Sequence, residues 1–232
     1  MDRFVQSPAR NPLLFLLFIL IPLLVIMLVI NLIDVSFAKL GLPRSLAFFL
    51  LFGSLLGSFI NIPIKEVETE GEVLRYEPSK RFGWFFPRPV VETRTVTTTI
   101  AANMGGAVVP VLISGYLLFQ FPRAIPSVVV GTVICVAICH KVARPIAGMG
   151  IGMPLFVAPL TSALVAVGLS LVLPGAVRTV VAYASGVLGV LIGADLLNLN
   201  KIRSLGAPTA SIGGAGTFDG IFLTGILAVL LV

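Results

Sequence analysis

The sequence predicts an all-α polytopic membrane protein of about seven transmembrane helices, on three observations. The 232 residues are 57% apolar and 11% charged, with a mean hydropathy of +1.09, far from the balance of soluble domains. Apolar runs close to the ~20 residues that cross a hydrocarbon core recur at 13–33, 46–64, 100–120, 124–140, 151–173, 176–199 and 212–232. Polar sequence is concentrated in a single segment, 65–99. The whole chain, 1–232, reads as one integral-membrane domain with a polar loop between helices two and three.

The first run follows Arg3 and Arg10, and Ser36-Phe37-Ala38 offers a signal-cleavage pattern. Its apolar stretch exceeds the roughly 7–15 residues of a signal core, so a retained helix is expected. The second run closes on Asn61. In the loop, Lys65–Val73 and Val90–Thr97 alternate and are rich in β-branched residues, while Pro78 and Gly83 interrupt the middle; this pattern reads as a β-hairpin. Its tip, Phe82–Arg88, groups aromatics with cations as membrane-interface segments do, and a plain linker is the alternative. The fourth run is short, and Pro154 and Pro159 interrupt the fifth, so six helices plus a re-entrant segment is the alternative count. In the seventh, Gly216, Gly220 and Thr224 fall four apart, a small-residue stripe suited to close packing that aims the neighbouring Asp219 into the bundle. The Gly213-Gly214-Ala215-Gly216 opening has little helix propensity and is expected to be loose or unwound.

With seven crossings, the N-terminus and the loops 65–99, 141–150 and 200–211 share one side. That side carries every Lys and Arg except Lys39, Arg44, Arg123 and Arg178. The positive-inside rule places it in the cytoplasm and the C-terminus outside, in the plasma membrane. The net charge of +6 fits this topology. Without a basic groove outside the bilayer, nucleic acid is not an expected partner. Cys135 and Cys139, four apart on one helix, are poorly placed for a disulfide and read as small buried residues. No Cys/His cluster completes a metal site around His140. Gly148-Met149-Gly150-Ile151-Gly152 follows no strand and is no phosphate loop, so neither metal nor cofactor is expected. A weak echo joins Asn103-Met104-Gly105-Gly106-Ala107 to Ser211-Ile212-Gly213-Gly214-Ala215, as internal repeats do in some transporters.

From Thr93 to the C-terminus the only acids are Asp195 and Asp219, both in strongly apolar sequence. A carboxylate at the bilayer centre is disfavoured by ~2.5–3.5 kcal/mol on insertion scales, so an intramembrane acid marks a functional site. Asn61, Asn103 and Asn198 fall at the same membrane level, and Gly214, Gly216 and Gly220 offer exposed backbone; these six form the expected binding set. If the two carboxylates meet, they can share a proton, one acting as base on water and the other as acid, which is peptide cleavage within a transmembrane substrate. Alternatively, with the Asn carbonyls, they bind a proton or small cation and couple it to transport. A non-catalytic membrane scaffold is the third reading.

Gly57-Ser58-Phe59-Ile60-Asn61-Ile62-Pro63, Gly193-Ala194-Asp195-Leu196-Leu197 and the run from Ser211 to Gly225 resemble an uncharacterised prokaryotic integral-membrane family, a domain of unknown function. That resemblance covers most of the chain and implies a membrane fold with no established activity. More distantly, the last two helices are similar to the GxGD-type intramembrane aspartyl proteases of presenilin and prepilin-peptidase type, which implies Asp195 and Asp219 as a catalytic pair. The chain departs from that pattern where Thr217 and Phe218 separate Gly216 from Asp219, and no Pro-Ala-Leu segment follows.

Overall fold

The structure is a computed structural model that describes residues 12–79, 83–146, 150–202, 209–214 and 220–232. Its helices are α1 (Pro12–Lys39), α2 (Arg44–Gly57), α3 (Val109–Gln120), α4 (Ile125–Val142), α5 (Val157–Val172), α6 (Arg178–Val190), α7 (Leu199–Ile202) and α8 (Gly220–Leu230). The strands are β1 (Asn61–Ser79), β2 (Gly83–Asn103), β3 (Arg144–Ile146), β4 (Gly150–Gly152) and β5 (Thr209–Ile212). Among the described residues, Leu14–Lys39, Pro122–Val142 and Arg178–Lys201 are long and apolar enough to cross a membrane, and four shorter apolar helices accompany them.

The all-α expectation needs correction. β1 and β2 form a long antiparallel hairpin, and β5 adds to β2 in parallel, giving the order β1-β2-β5. The hairpin contains the expected arms, with Lys65 opposite Ile100 and Val73 opposite Glu92, but it runs on to the Asn61–Asn103 pair. Apolar sequence assigned to helices two and three is therefore strand. The reason is local: Ile60, Ile62 and Ile64 are β-branched, and Pro63 drives Ile62 out of the helical region. The seventh run is corrected in the same way at its start, because its first residue, Ile212, ends β5. Phe82, in the aromatic tip, lies outside the described residues.

At the centre lies α6, buried at every position from Val180 to Val187, as expected for a helix without a polar face. It runs parallel to α4 along a seam of small residues at four-residue intervals. A Cβ on Gly189 would collide with Cys135, and one on Gly193 would lie 2.6 Å from the Val136 carbonyl oxygen and 3.1 Å from Cys139 Cβ; Gly131 meets Ser185 in the same way. Cys135 and Cys139 are thus buried packing residues, and small side chains let the two backbones approach.

α1 has a different role. Only its last turns enter the bundle, where Phe37 meets Phe222 edge-on at 6.5 Å and Lys39 Nζ donates to the Val229 carbonyl at 3.3 Å. From Leu14 to Ile30 its large side chains are exposed, Phe18 at 76%, on a helix apolar all round and long enough to cross a membrane.

The Lys39–Val229 contact marks one end of the bundle, shared by the α1–α2 turn and the close of α8. Arg123 and Gly175 meet at the α3–α4 and α5–α6 turns. At the other end Gly105 packs on Ser54 and Ser58 at the close of α2, His140 at the close of α4 reaches Gly193, and Gly213 packs on Ala107.

Candidate functional site

Asp195 sits where α6 breaks. Leu191–Asp195 forms a π-helical turn and Leu196–Asn198 a 3-10 turn before α7. A π-turn shifts every later side chain around the helix axis, so Asp195 and Asn198 do not follow the α-helical register of α6. Asn198 turns inward and is buried. Its Nδ2 donates to the carbonyls of Ala194 (2.9 Å) and Gly193 (3.1 Å) and lies 3.3 Å from His140 Nδ1. Asn198 therefore fastens the broken helix to itself and to α4.

Asp195, half-buried, faces the other way. Its Oδ2 accepts a hydrogen bond of 3.0 Å from the Gly213 backbone N–H. Gly213 has φ +82° and Gly214 φ +86°, a region L-residues rarely adopt. Two successive left-handed glycines turn the chain sharply off β5 and aim the Gly213 amide at the carboxylate. The carboxylate also borders a cleft of about 280 Å³ lined by Met153, Pro154, Ala194, Asp195, Gly220, Ile221 and Thr224, among others. The walls are mostly apolar, and Thr224 is the other polar side chain on them.

Asn61 and Asn103 lie a short way along the sheet. Asn103, fully buried, donates to the Ser58 carbonyl (2.6 Å) and to Asn61 Oδ1 (3.0 Å), and its own oxygen accepts from Gly106 N–H (2.8 Å). Asn61 Oδ1 also accepts from Ser211 Oγ at 2.7 Å. These bonds tie the hairpin base to α2, to the turn before α3 and to β5. The two echoing segments are thereby neighbours, since Thr99–Ala102 pairs in parallel with Thr209–Ile212 and each strand runs into a Gly-Gly turn.

Among the remaining expected residues, Gly214 follows the donor Gly213 at the cleft margin. Gly220 lines the cleft, and a Cβ there would meet nothing within 4 Å. The expectation that Gly220 belongs to a packing seam is therefore wrong; on α8 the close approach is at Gly225, where a Cβ would lie 2.6 Å from Tyr183. Asp219 and Gly216 lie outside the described residues. Sequence reasoning missed the Gly213 amide and the Met153-Pro154 wall. The Gly213-Gly214 pair directly after Ile212 was the available signal for the first.

Fold and cleft together define an apolar helical bundle with a carboxylate at a helix break, bordering an apolar cleft. The chain belongs to the family described as protein of unknown function (DUF1614), whose model matches residues 55–231. The match begins within α2, so α1 lies outside it. No curated protein and no solved structure matches the chain. The family match lends no support to the GxGD-type likeness, which rests on the residues alone.

Proposed function

We propose that this protein is an intramembrane aspartyl protease whose catalytic pair is Asp195 and Asp219. The observation that carries the reading is the cleft wall: Gly220, the residue that follows Asp219 in the chain, lines the same cleft as Asp195. In this mechanism one carboxylate takes a proton from water as it attacks the peptide carbonyl, and the other delivers a proton to the departing amine. The Gly213 N–H holds Asp195 in a fixed rotamer, and the apolar walls accept the side chains of a transmembrane peptide. Seven bilayer crossings, with the hairpin side cytoplasmic and Val232 outside, complete the proposal.

One observation favours a second reading. The helix carrying Asp195 is broken over Leu191–Asn198, and broken helices that expose backbone beside an acid are how many transporters hold a coupling ion. The experiment is cleavage of a reconstituted transmembrane substrate by wild type, Asp195→Asn and Asp219→Asn. Cleavage lost in both variants, with melting temperatures retained, is the expected result. Absence of cleavage by wild type, together with a cation-dependent flux into liposomes that either variant abolishes, would replace the protease with the transporter. Neither activity in wild type would leave a membrane scaffold.

A further inference from the structure

We propose that the cleft between the end of α4 and the β3–β4 hairpin binds the phosphate group of an anionic lipid. The cleft has a volume of about 720 Å³; Lys141 and Arg144 border it, and Pro145, Ile146, Met153 and Pro154 contribute an apolar floor. Among the described residues no acid lines it. Neither Lys141 nor Arg144 forms a salt bridge within that set, whereas Arg44 at the opposite end of the bundle pairs with Asp34.

The hairpin register explains why the site is open. Arg144 lies opposite Gly152, which carries no side chain to cover it. Ile146 fills the space instead, since a Cβ on Gly152 would collide with Ile146 Cδ1; the floor is apolar while the cations stay exposed. An arginine fork can hold two phosphate oxygens, and a lysine adds a compact charge beside it. A free phosphate would gain nothing from the floor. A phosphodiester with a glycerol and the start of an acyl chain uses both parts, and basic pockets at helix ends commonly take such headgroups. Gly152, Met153 and Pro154 also line the Asp195 cleft, so a seated headgroup braces the wall between the two.

The test uses the full chain in detergent, with dioctanoyl phosphatidylglycerol, dioctanoyl phosphatidylcholine and inorganic phosphate as probes, read by native mass spectrometry and thermal melting. Wild type is expected to hold the glycerol lipid at least tenfold more tightly than the choline lipid and to melt higher in its presence. The double variant Lys141→Gln/Arg144→Gln, altered at exposed positions, is expected to lose that preference, whereas Arg123→Gln at the other end keeps it. Equal binding of the two lipids by wild type overturns the proposal, and so does a double variant that keeps the preference. A melting shift reproduced in full by inorganic phosphate alone overturns it too, because the ligand is then a free anion.

Discussion

A backbone amide, that of Gly213, hydrogen-bonds Asp195. Gly213 has φ +82°, and a Cβ there would lie 2.6 Å from both Ala107 Cβ and Ala107 N. Gly213→Ala therefore combines a disfavoured backbone region with a clash. The expected loss is about 1–3 kcal/mol, the range for a strained residue of this kind, read as a lower melting temperature. Gly220→Ala, which adds its methyl to open space, is expected to melt within ~0.5 kcal/mol of wild type, as substitutions that disturb no packing do. Equal melting of the two variants would remove Gly213 from the account of the site. Asn103→Leu tests the neighbouring polar cluster. Removing its amide leaves the Ser58 carbonyl and the Gly106 N–H unpaired in a buried place, at about 1–3 kcal/mol each, and should melt lowest of the three. At this scale the sequence marked Asp195 as an acid in apolar surroundings, and the structure places it at the helix break beside the cleft. Its donor was not marked, because an amide has no residue type to betray it.

Among the elements, the parallel seam between α4 and α6 holds the centre of the bundle. Gly131, Cys135 and Cys139 on one helix meet Ser185, Gly189 and Gly193 on the other. Gly189→Leu should force the helices apart, at the ~1–3 kcal/mol typical of overpacking. It should also displace the π-turn that carries Asp195, so activity is expected to fall further than stability alone explains. Leu164→Phe on α5, at a side chain 72% exposed, is the matched enlargement and should leave melting unchanged. If Gly189→Leu melts like wild type, the seam is not where the helices are closest. The stretches of helix were legible from hydropathy, but their ends were not. Ile62 and Ile212 are as apolar as a helix, and only pairing with partners far along the chain makes them strand. The same limit misassigned Gly220, since four-residue spacing marks a stripe without saying whether it faces a helix or a cleft.

On the scale of the whole molecule, the proposed topology rests on the charge distribution of the sequence and on the contacts that close the two ends of the bundle. Lys39 reaches Val229 and Arg123 meets Gly175 at one end, while His140 reaches Gly193 and Gly213 packs on Ala107 at the other. Seven alternating crossings, as proposed above, would pair helix ends in this way. The end that holds the hairpin is also the one with most of the Lys and Arg, the bias that keeps loops in the cytoplasm. Single cysteines can test this against a membrane, because the native thiols, Cys135 at 1% and Cys139 at 0% exposure, should react slowly and can be replaced by alanine. Glu68→Cys, exposed on the hairpin, and Lys201→Cys should resist an impermeant maleimide added to intact cells and react only after permeabilisation. Arg123→Cys and Val232→Cys should react at once from outside. Labelling of Glu68→Cys in intact cells would reverse the orientation. Reaction of Arg123→Cys and Lys201→Cys from the same face would go further and overturn the proposed alternating crossings, and with them the proposed cytoplasmic placement of the Asp195 cleft.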